Sequence, residues 1–347
     1  MVRIGLVGFP GSGKTTLFNA LTGLDAPVGF GGDLRVGAVK VPDPRLDWIS
    51  AAVQPRKTTH AEVVFCDVPG EYAAGRRSLS DKALRQIREQ DALCLVLRDF
   101  DNPALDEAPD PLGEMYAFVS ECVLADLDVV ERRLQRMSKE KSDLREQKQL
   151  EEIKGKLEEE VPLRLLGSEV VHRNLLRGYA FLTDKPLLAV LNQSEEKSGG
   201  DPPVEFAREI ERGGARVLAL CASIESEISR LDPDDQADFL EDMGMSEPVL
   251  HRFIRASHNL LDVISFFTVS KEEVRAWTIR RGTSARQAAG RVHSDMERGF
   301  IRAEIVPFEV FEKHGSWSAV KAANEMRVEG AGYVLQDGDI MQVRFNV

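Results

Sequence analysis

Residues 8–15, Gly8-Phe9-Pro10-Gly11-Ser12-Gly13-Lys14-Thr15, constrain this chain more than any other stretch. They match GxxxxGK[ST] and lie between a short apolar run at 4–7 and the segment TTLFNAL, in which Leu17 and Leu21 share a helical face. A buried strand, a glycine-rich turn and a helix start together make a phosphate cradle. The glycines let backbone N–H groups wrap an anion, and the helix N-terminus adds positive potential. On this reading Gly8, Pro10, Gly11, Ser12, Gly13 and Thr16 surround the phosphates of a nucleotide. Lys14 reaches the β- and γ-phosphates as a binding and catalytic group, and Thr15 holds Mg²⁺. The competing reading is a strand-to-helix turn with no ligand.

The 347 residues suffice for two or three domains with real cores. No apolar run approaches the ~20 residues that span a bilayer, so no membrane partner is expected. Cys66, Cys94, Cys122 and Cys221 are widely spaced and form no CxxC pair. That usage fits reduced core thiols and a cytoplasmic setting. A net charge of −12 argues against nucleic-acid binding by the whole surface. Any RNA contact must come from a local patch. Residues 275–291 offer one: Arg275, Arg280, Arg281, Arg286 and Arg291, with no Asp or Glu among them. The alternative is a solvated face whose arginines pair with acids elsewhere. Nothing in the sequence demands an oligomer, and a monomer is favoured.

Apolar runs at 63–66, 92–97, 187–191 and 217–220 follow the first at 4–7, with helical segments between them. This alternation predicts an α/β fold with a doubly wound sheet. Between 121 and 161 the chain is rich in Glu, Lys, Arg and Gln, and Leu127, Val130, Leu134 and Met137 step by three and four. Leu150, Ile153, Leu157 and Val161 do the same, which suggests an inserted antiparallel helical hairpin with coiled-coil spacing. From about 265 the chain changes character. VRAWTI reads as a strand, and SARQAAGRVHSDMERG as a helix opened by a Ser-x-x-Gln capping box. Near the end, Asp337-Gly338 followed by alternating Met341, Val343 and Phe345 reads as a hairpin. The expected divisions are 1–115 with 179–264 as the nucleotide-binding domain, 116–178 as the hairpin, and 265–347 as a small α+β domain.

Two further motifs fit the phosphate site. The run at 63–66 leads into Asp67-Val68-Pro69-Gly70, where Asp67 at a strand end can hold the Mg²⁺ shell and Gly70 can place an N–H on the γ-phosphate. Asp-x-Pro-Gly is also a common turn. After the run at 187–191 come Asn192 and Glu195, at the place in chain order where GTPases carry the guanine-reading Asn-Lys-x-Asp. Asn-x-Ser-Glu is also a good helix start.

In motif order the chain resembles the YchF family, the Obg-like ATPases among the translation-factor-related P-loop NTPases. The most specific stretches are VPDPRLD (41–47), LCASIESEI (220–228), and EVRAWTI with QAAGRVHSDMERGFIRAE (273–304). The resemblance covers nearly the whole chain. It implies a helical insertion in the nucleotide-binding domain, a C-terminal domain like the β-grasp TGS domain, and a Mg²⁺-dependent nucleotide switch or ATPase acting near ribosomes. It also gives NQSE the character of the family's NxxE variant, associated with adenine. Glu195 is one methylene longer than Asp, and Gln193 replaces the Lys. ATP or GTP is therefore the expected substrate, with ATP favoured and use of both left open, and with Cys221, Ala222 and Ser223 forming the other base-side loop.

Three departures stand out. Gly11 replaces an Asn associated in related NTPases with potassium coordination. The first switch region reads Phe30-Gly31-Gly32-Asp33-Leu34-Arg35, without a matching Mg²⁺-sensing Thr. Glu71, a candidate catalytic residue, follows DVPG where an apolar residue is expected, with Arg76 and Arg77 close behind. The expected activity is slow hydrolysis of the γ-phosphate. Alternatives are a nucleotide-binding regulator with little hydrolysis and a small-molecule kinase, for which no Arg-rich lid is evident.

Overall fold

The structure, a computed structural model, describes residues 2–28, 33–70, 79–139, 143–198 and 200–346. Contacts divide the chain into two compact units, residues 1–39 with 64–253, and residues 40–63 with 254–347. In chain order the strands are β1 (Arg3–Val7), β2 (Arg35–Lys40), β3 (Lys57–Thr59), β4 (Glu62–Asp67), β5 (Ala92–Asp99), β6 (Leu187–Gln193), β7 (Arg216–Leu220), β8 (Val263–Val269), β9 (Glu273–Arg280), β10 (Phe300–Pro307), β11 (Arg327–Glu329) and β12 (Asp339–Phe345).

The first unit holds a six-stranded sheet in the order β2-β4-β1-β5-β6-β7. The pairs β1–β4, β1–β5, β5–β6 and β6–β7 are parallel. The five apolar runs in the sequence are its strands β1, β4, β5, β6 and β7, of which β7 alone lies at an edge. They are apolar on both faces because helices cover both sides of a parallel sheet. Leu95, Leu97, Ala189 and Leu191 are buried against Phe118 and Ile210 of the flanking helices. Because the strands are parallel, their carboxyl ends share one edge, and the strand order reverses beside β1. Ligands of open α/β sheets bind outside that edge, at the reversal.

The helix Pro111–Met137 belongs to two cores. Asp110 caps it by accepting from the Gly113 N–H. Met115, Phe118 and Cys122 pack on the sheet. Further along, Val130 and Met137 pack with Leu150, Ile153 and Leu157 of the helix Leu144–Glu158. The spacing of three and four in the sequence is this seam. The ion pairs Arg133–Glu146 and Lys154–Glu131 cross between the two helices and fix them antiparallel. Asp126, fully buried, fastens the hairpin's base. It accepts from the Leu182 and Thr183 N–H groups, the Thr183 hydroxyl and the Arg88 guanidinium, at 2.8–3.0 Å.

The second unit holds a mixed sheet in the order β11-β10-β12-β8-β9-β3. The β8–β9 and β10–β12 pairs are antiparallel, whereas β12–β8 and β3–β9 are parallel. Residues 40–63 join this unit through β3, although they precede most of the first unit's strands in the chain. The capping box forms as read, with Ser284 and Gln287 bonding reciprocally at the start of the helix Ala285–Val292. That helix stops at His293, whose backbone is extended, and a second helix, Ser294–Arg298, follows. The hairpin expected at Asp337-Gly338 is not formed. The dipeptide turns the chain, but β12 then lies between β10 and β8, so it joins no neighbouring strands. Among the described residues no helix is long and apolar enough to cross a membrane.

Candidate functional site

The loop after β1 closes on itself before the helix Lys14–Thr22 begins. Gly13 takes φ +92, a left-handed conformation that favours glycine. A Cβ there would also come within 2.2 Å of Asn192 Nδ2. The Lys14 side chain is buried, and its ammonium donates to the Phe9 carbonyl at 2.8 Å. Burial holds its pKa down at about 8, against the opposing pull of Asp67 and Glu114. The next residue, Thr15, donates its hydroxyl to Asp67 Oδ2 at 2.9 Å. Asp67 is the last residue of β4, next to β1 in the sheet, so both loops reach one edge. A cavity of about 250 Å³ opens there, lined by Pro10, Gly11, Gly13, Lys14, Thr15 and Thr16 from the loop and by Asp67, Pro69 and Gly70 opposite.

A second cavity, of about 630 Å³, shares Gly13 and Thr16 with the first. Gln193, Glu195, Ala222 and Ser223 line it, with Asp99 and Phe100 from the end of β5. Asn192 also lines it, but both halves of its amide are engaged within the protein. Nδ2 donates to the Ser12 carbonyl, and Oδ1 accepts from the Ala222 N–H, both at 2.9 Å. Ser223 Oγ lies 3.4 Å from Glu195 Oε1 and 3.1 Å from the Cys221 thiol. Gln193 is buried and donates to Asp99 at 3.4 Å, and its Oε1 has no partner among the described residues. The loop after β1 and the end of β6, separated by about 180 positions in sequence, are thus joined beside two adjoining cavities.

Gly8, Ser12 and Cys221 line neither cavity. Ser12 is fully buried and takes part through its carbonyl. Glu71, Arg76, Arg77 and residues 30–32 lie outside the described residues. The arginines at 275–291 form no part of this site. Arg280, Arg286 and Arg291 are exposed. Arg275 lies 4.0 Å over the Trp277 ring, and Arg281 pairs with Asp262 at 3.0 Å.

Four site residues escaped the sequence reading. Asp99 ends β5 as Asp67 ends β4, so an acid at a buried strand end was the available signal. Lys197 pairs with Asp99 at 2.9 Å. Asn102 donates to the Gly11 carbonyl at 3.2 Å from a loop that carries no motif. Arg35 Nη1 reaches Asp67 Oδ2 at 3.1 Å, and it sits in the segment where a Thr was sought.

The donor set suits Mg²⁺. A hydroxyl and a carboxylate are hard oxygen ligands, and both residues line the first cavity. Among the described residues no group of three or more His, Cys, Asp or Glu side chains could hold a metal. A cation shared with nucleotide phosphates requires only one or two protein ligands.

Comparison with known proteins covers both parts of the chain. Residues 263–346 match the YchF-GTPase_C family model, described as a protein of unknown function, and residues 3–141 match the model of the 50S ribosome-binding GTPases. The ribosome-binding ATPase YchF of Haemophilus influenzae is 39% identical over 99% of each chain, and that of Bacillus subtilis 38% over 99% of each. The Obg-like ATPase 1 of Oryza sativa subsp. japonica is 33% identical over all of this chain and 92% of its own. Among solved structures, the YchF GTPase of Schizosaccharomyces pombe superposes with a TM-score of 0.86 at 26% identity, covering 99% of this chain and 97% of that one.

Proposed function

The chain belongs to the YchF family, and from that premise we propose that it is a slow, Mg²⁺-dependent ATPase that works on the ribosome. It is a nucleotide-binding P-loop ATPase/GTPase. The observation that carries the finer reading is the convergence of Lys14, Thr15 and Asp67 on one cavity that continues, past Gly13 and Thr16, into a base-sized one.

The triphosphate lies along the loop between Gly8 and Thr16, with its γ-phosphate toward Gly70. Lys14 exchanges the Phe9 carbonyl for the β- and γ-phosphates, a charge-assisted bond in place of a neutral one. Thr15 and Asp67 would hold the Mg²⁺, which when bound would supply positive charge beside the phosphates. A water oxygen bonds to the γ-phosphorus as the bridging P–O bond breaks. The bond's electron pair leaves on the β-phosphate of ADP, and the water's proton ends on inorganic phosphate.

The base-side groups favour adenine. The N–H of Ala222, a residue lining this cavity, is already given to Asn192 and is not available to a guanine O6. Gln193 Oε1 is a buried acceptor with no partner among the described residues, and an acceptor is what the adenine N6 amino group requires. A site with the wrong hydrogen-bond polarity discriminates strongly. The relatives named as ribosome-binding support a ribosomal partner, and a cytoplasmic location follows from it. The exposed Arg280, Arg286 and Arg291 are suited to RNA phosphates. Titration with ATP, GTP and their diphosphates, with and without Mg²⁺, tests this reading.

A further inference from the structure

Arg35 opens β2, the strand that neighbours β4 in the sheet. Its guanidinium lines the phosphate cavity together with Lys14. One nitrogen donates to Asp67 Oδ2 at 3.1 Å, and the other to the Pro27 carbonyl at 3.1 Å. Asp67 is almost wholly buried, with its side chain 6% exposed, so its charge needs a partner. Lys14 is not that partner by contact, because its ammonium is bonded to Phe9. Arg35 therefore serves as the counter-ion of Asp67.

The same oxygen accepts the Thr15 hydroxyl, so it belongs to the pair read as holding Mg²⁺. A guanidinium and a divalent cation repel each other, and they compete for one carboxylate oxygen. When Asp67 serves the metal, Arg35 gives it up. Its guanidinium then lies in the cavity that receives the triphosphate, and the arriving anion is the γ-phosphate. Arginine suits that partner, since its planar fork matches two phosphate oxygens. The first switch segment contains no Thr for this role, while Arg35 lies within it.

We propose that Arg35 is the γ-phosphate-binding residue of the first switch, supplied in cis, which rests on Asp67 until metal and triphosphate take its place. The proposal rests on the nucleotide reading above. It predicts effects of opposite sign from one substitution. In Arg35→Ala the competitor for Asp67 is lost, so Mg²⁺ titrated into the ADP complex should bind several-fold more tightly. The γ-phosphate contact is lost too, so the preference for ATP over ADP should fall at least tenfold.

Both quantities come from calorimetric titrations of wild type and variant, and neither depends on turnover. Arg35→Gln, closer in shape and still uncharged, should repeat both changes if Arg35→Ala does not fold. Weaker Mg²⁺ binding in the variants would mean that Arg35 only braces Asp67, and an unchanged ATP-to-ADP ratio would remove the γ-phosphate role. Either result overturns the inference. Wild type that binds neither nucleotide would instead overturn the reading beneath it, and the inference with it.

Discussion

Asn192 and Ser12, 180 residues apart, are joined by a 2.9 Å hydrogen bond from the Asn192 amide to the Ser12 carbonyl. The same side chain receives the Ala222 N–H at 2.9 Å. Asn192 thus ties the phosphate loop to the base-side loop. Asn192→Ala would strand two buried backbone groups, at about 1–3 kcal/mol each. ATP affinity should fall tenfold or more, and inorganic tripolyphosphate, which has no base, should lose a comparable factor. Paired titrations measure both. A loss confined to ATP would restrict Asn192 to base contact.

Lys14 gives the site a pH signature. Its pKa is depressed from 10.5 to about 8 by burial. The folded protein therefore binds fewer protons than the unfolded chain between these values. Stability should rise as pH climbs through that window, and be lost as pH falls toward 8. Bound phosphate restores the charged form, so ATP binding at pH 8 should take up about half a proton, and almost none at pH 6.5. Titration in buffers of different ionisation enthalpy reads this directly. No uptake at pH 8 would mean that Lys14 is fully charged without ligand.

Gly11 has φ +79, and a Cβ there would lie 2.8 Å from Leu105 Cδ1 and 2.9 Å from Asn102 Nδ2. The amide that the family resemblance places at position 11 would therefore have to displace the side-chain ends of Leu105 and Asn102. Gly11→Asn should weaken ATP binding rather than introduce potassium dependence, and adding Asn102→Gly should recover part of the loss. Wild-type turnover should differ little between potassium and sodium. Strong activation by potassium would contradict this.

The Asp126 cluster at the hairpin's base predicts a stability effect. Burial pushes its pKa up, and four hydrogen bonds, one from Arg88, oppose that. Asp126→Ala leaves Arg88 and two backbone N–H groups without their partner, and removal of one member of such a buried pair costs about 3–5 kcal/mol. Denaturant unfolding should show this loss, whereas Asp128→Ala, on the exposed side of the same helix, should change little.

The parts of this molecule legible in the sequence are those with local physical causes. Strands buried on both faces are apolar throughout, as at 92–97. The seam of Val130, Met137, Leu150, Ile153 and Leu157 repeats at helical spacing. Ser284 and Gln287 box a helix start within four residues. Contacts made by the fold alone leave no local trace. β3 is Lys-Thr-Thr and has no apolar residue, yet it extends a sheet through pairing with β9. β2 is largely exposed and carries only a weak alternation. Asn102 and Arg35 reach the site from loops or strand ends, and their roles depend on which strands neighbour β1. The motif located the site, but chain topology decides which unmarked side chains face it.

We propose that one site binds an adenine nucleotide through Lys14 with Mg²⁺. Calorimetric titration of the purified chain with Mg·ATP and Mg·GTP, for wild type and Lys14→Ala, tests it most directly. Wild type should show single-site binding, at least tenfold tighter for ATP than for GTP, and the variant should lose measurable triphosphate binding with the fold retained. GTP binding as tight as ATP, or an unchanged ATP affinity in Lys14→Ala, would contradict it.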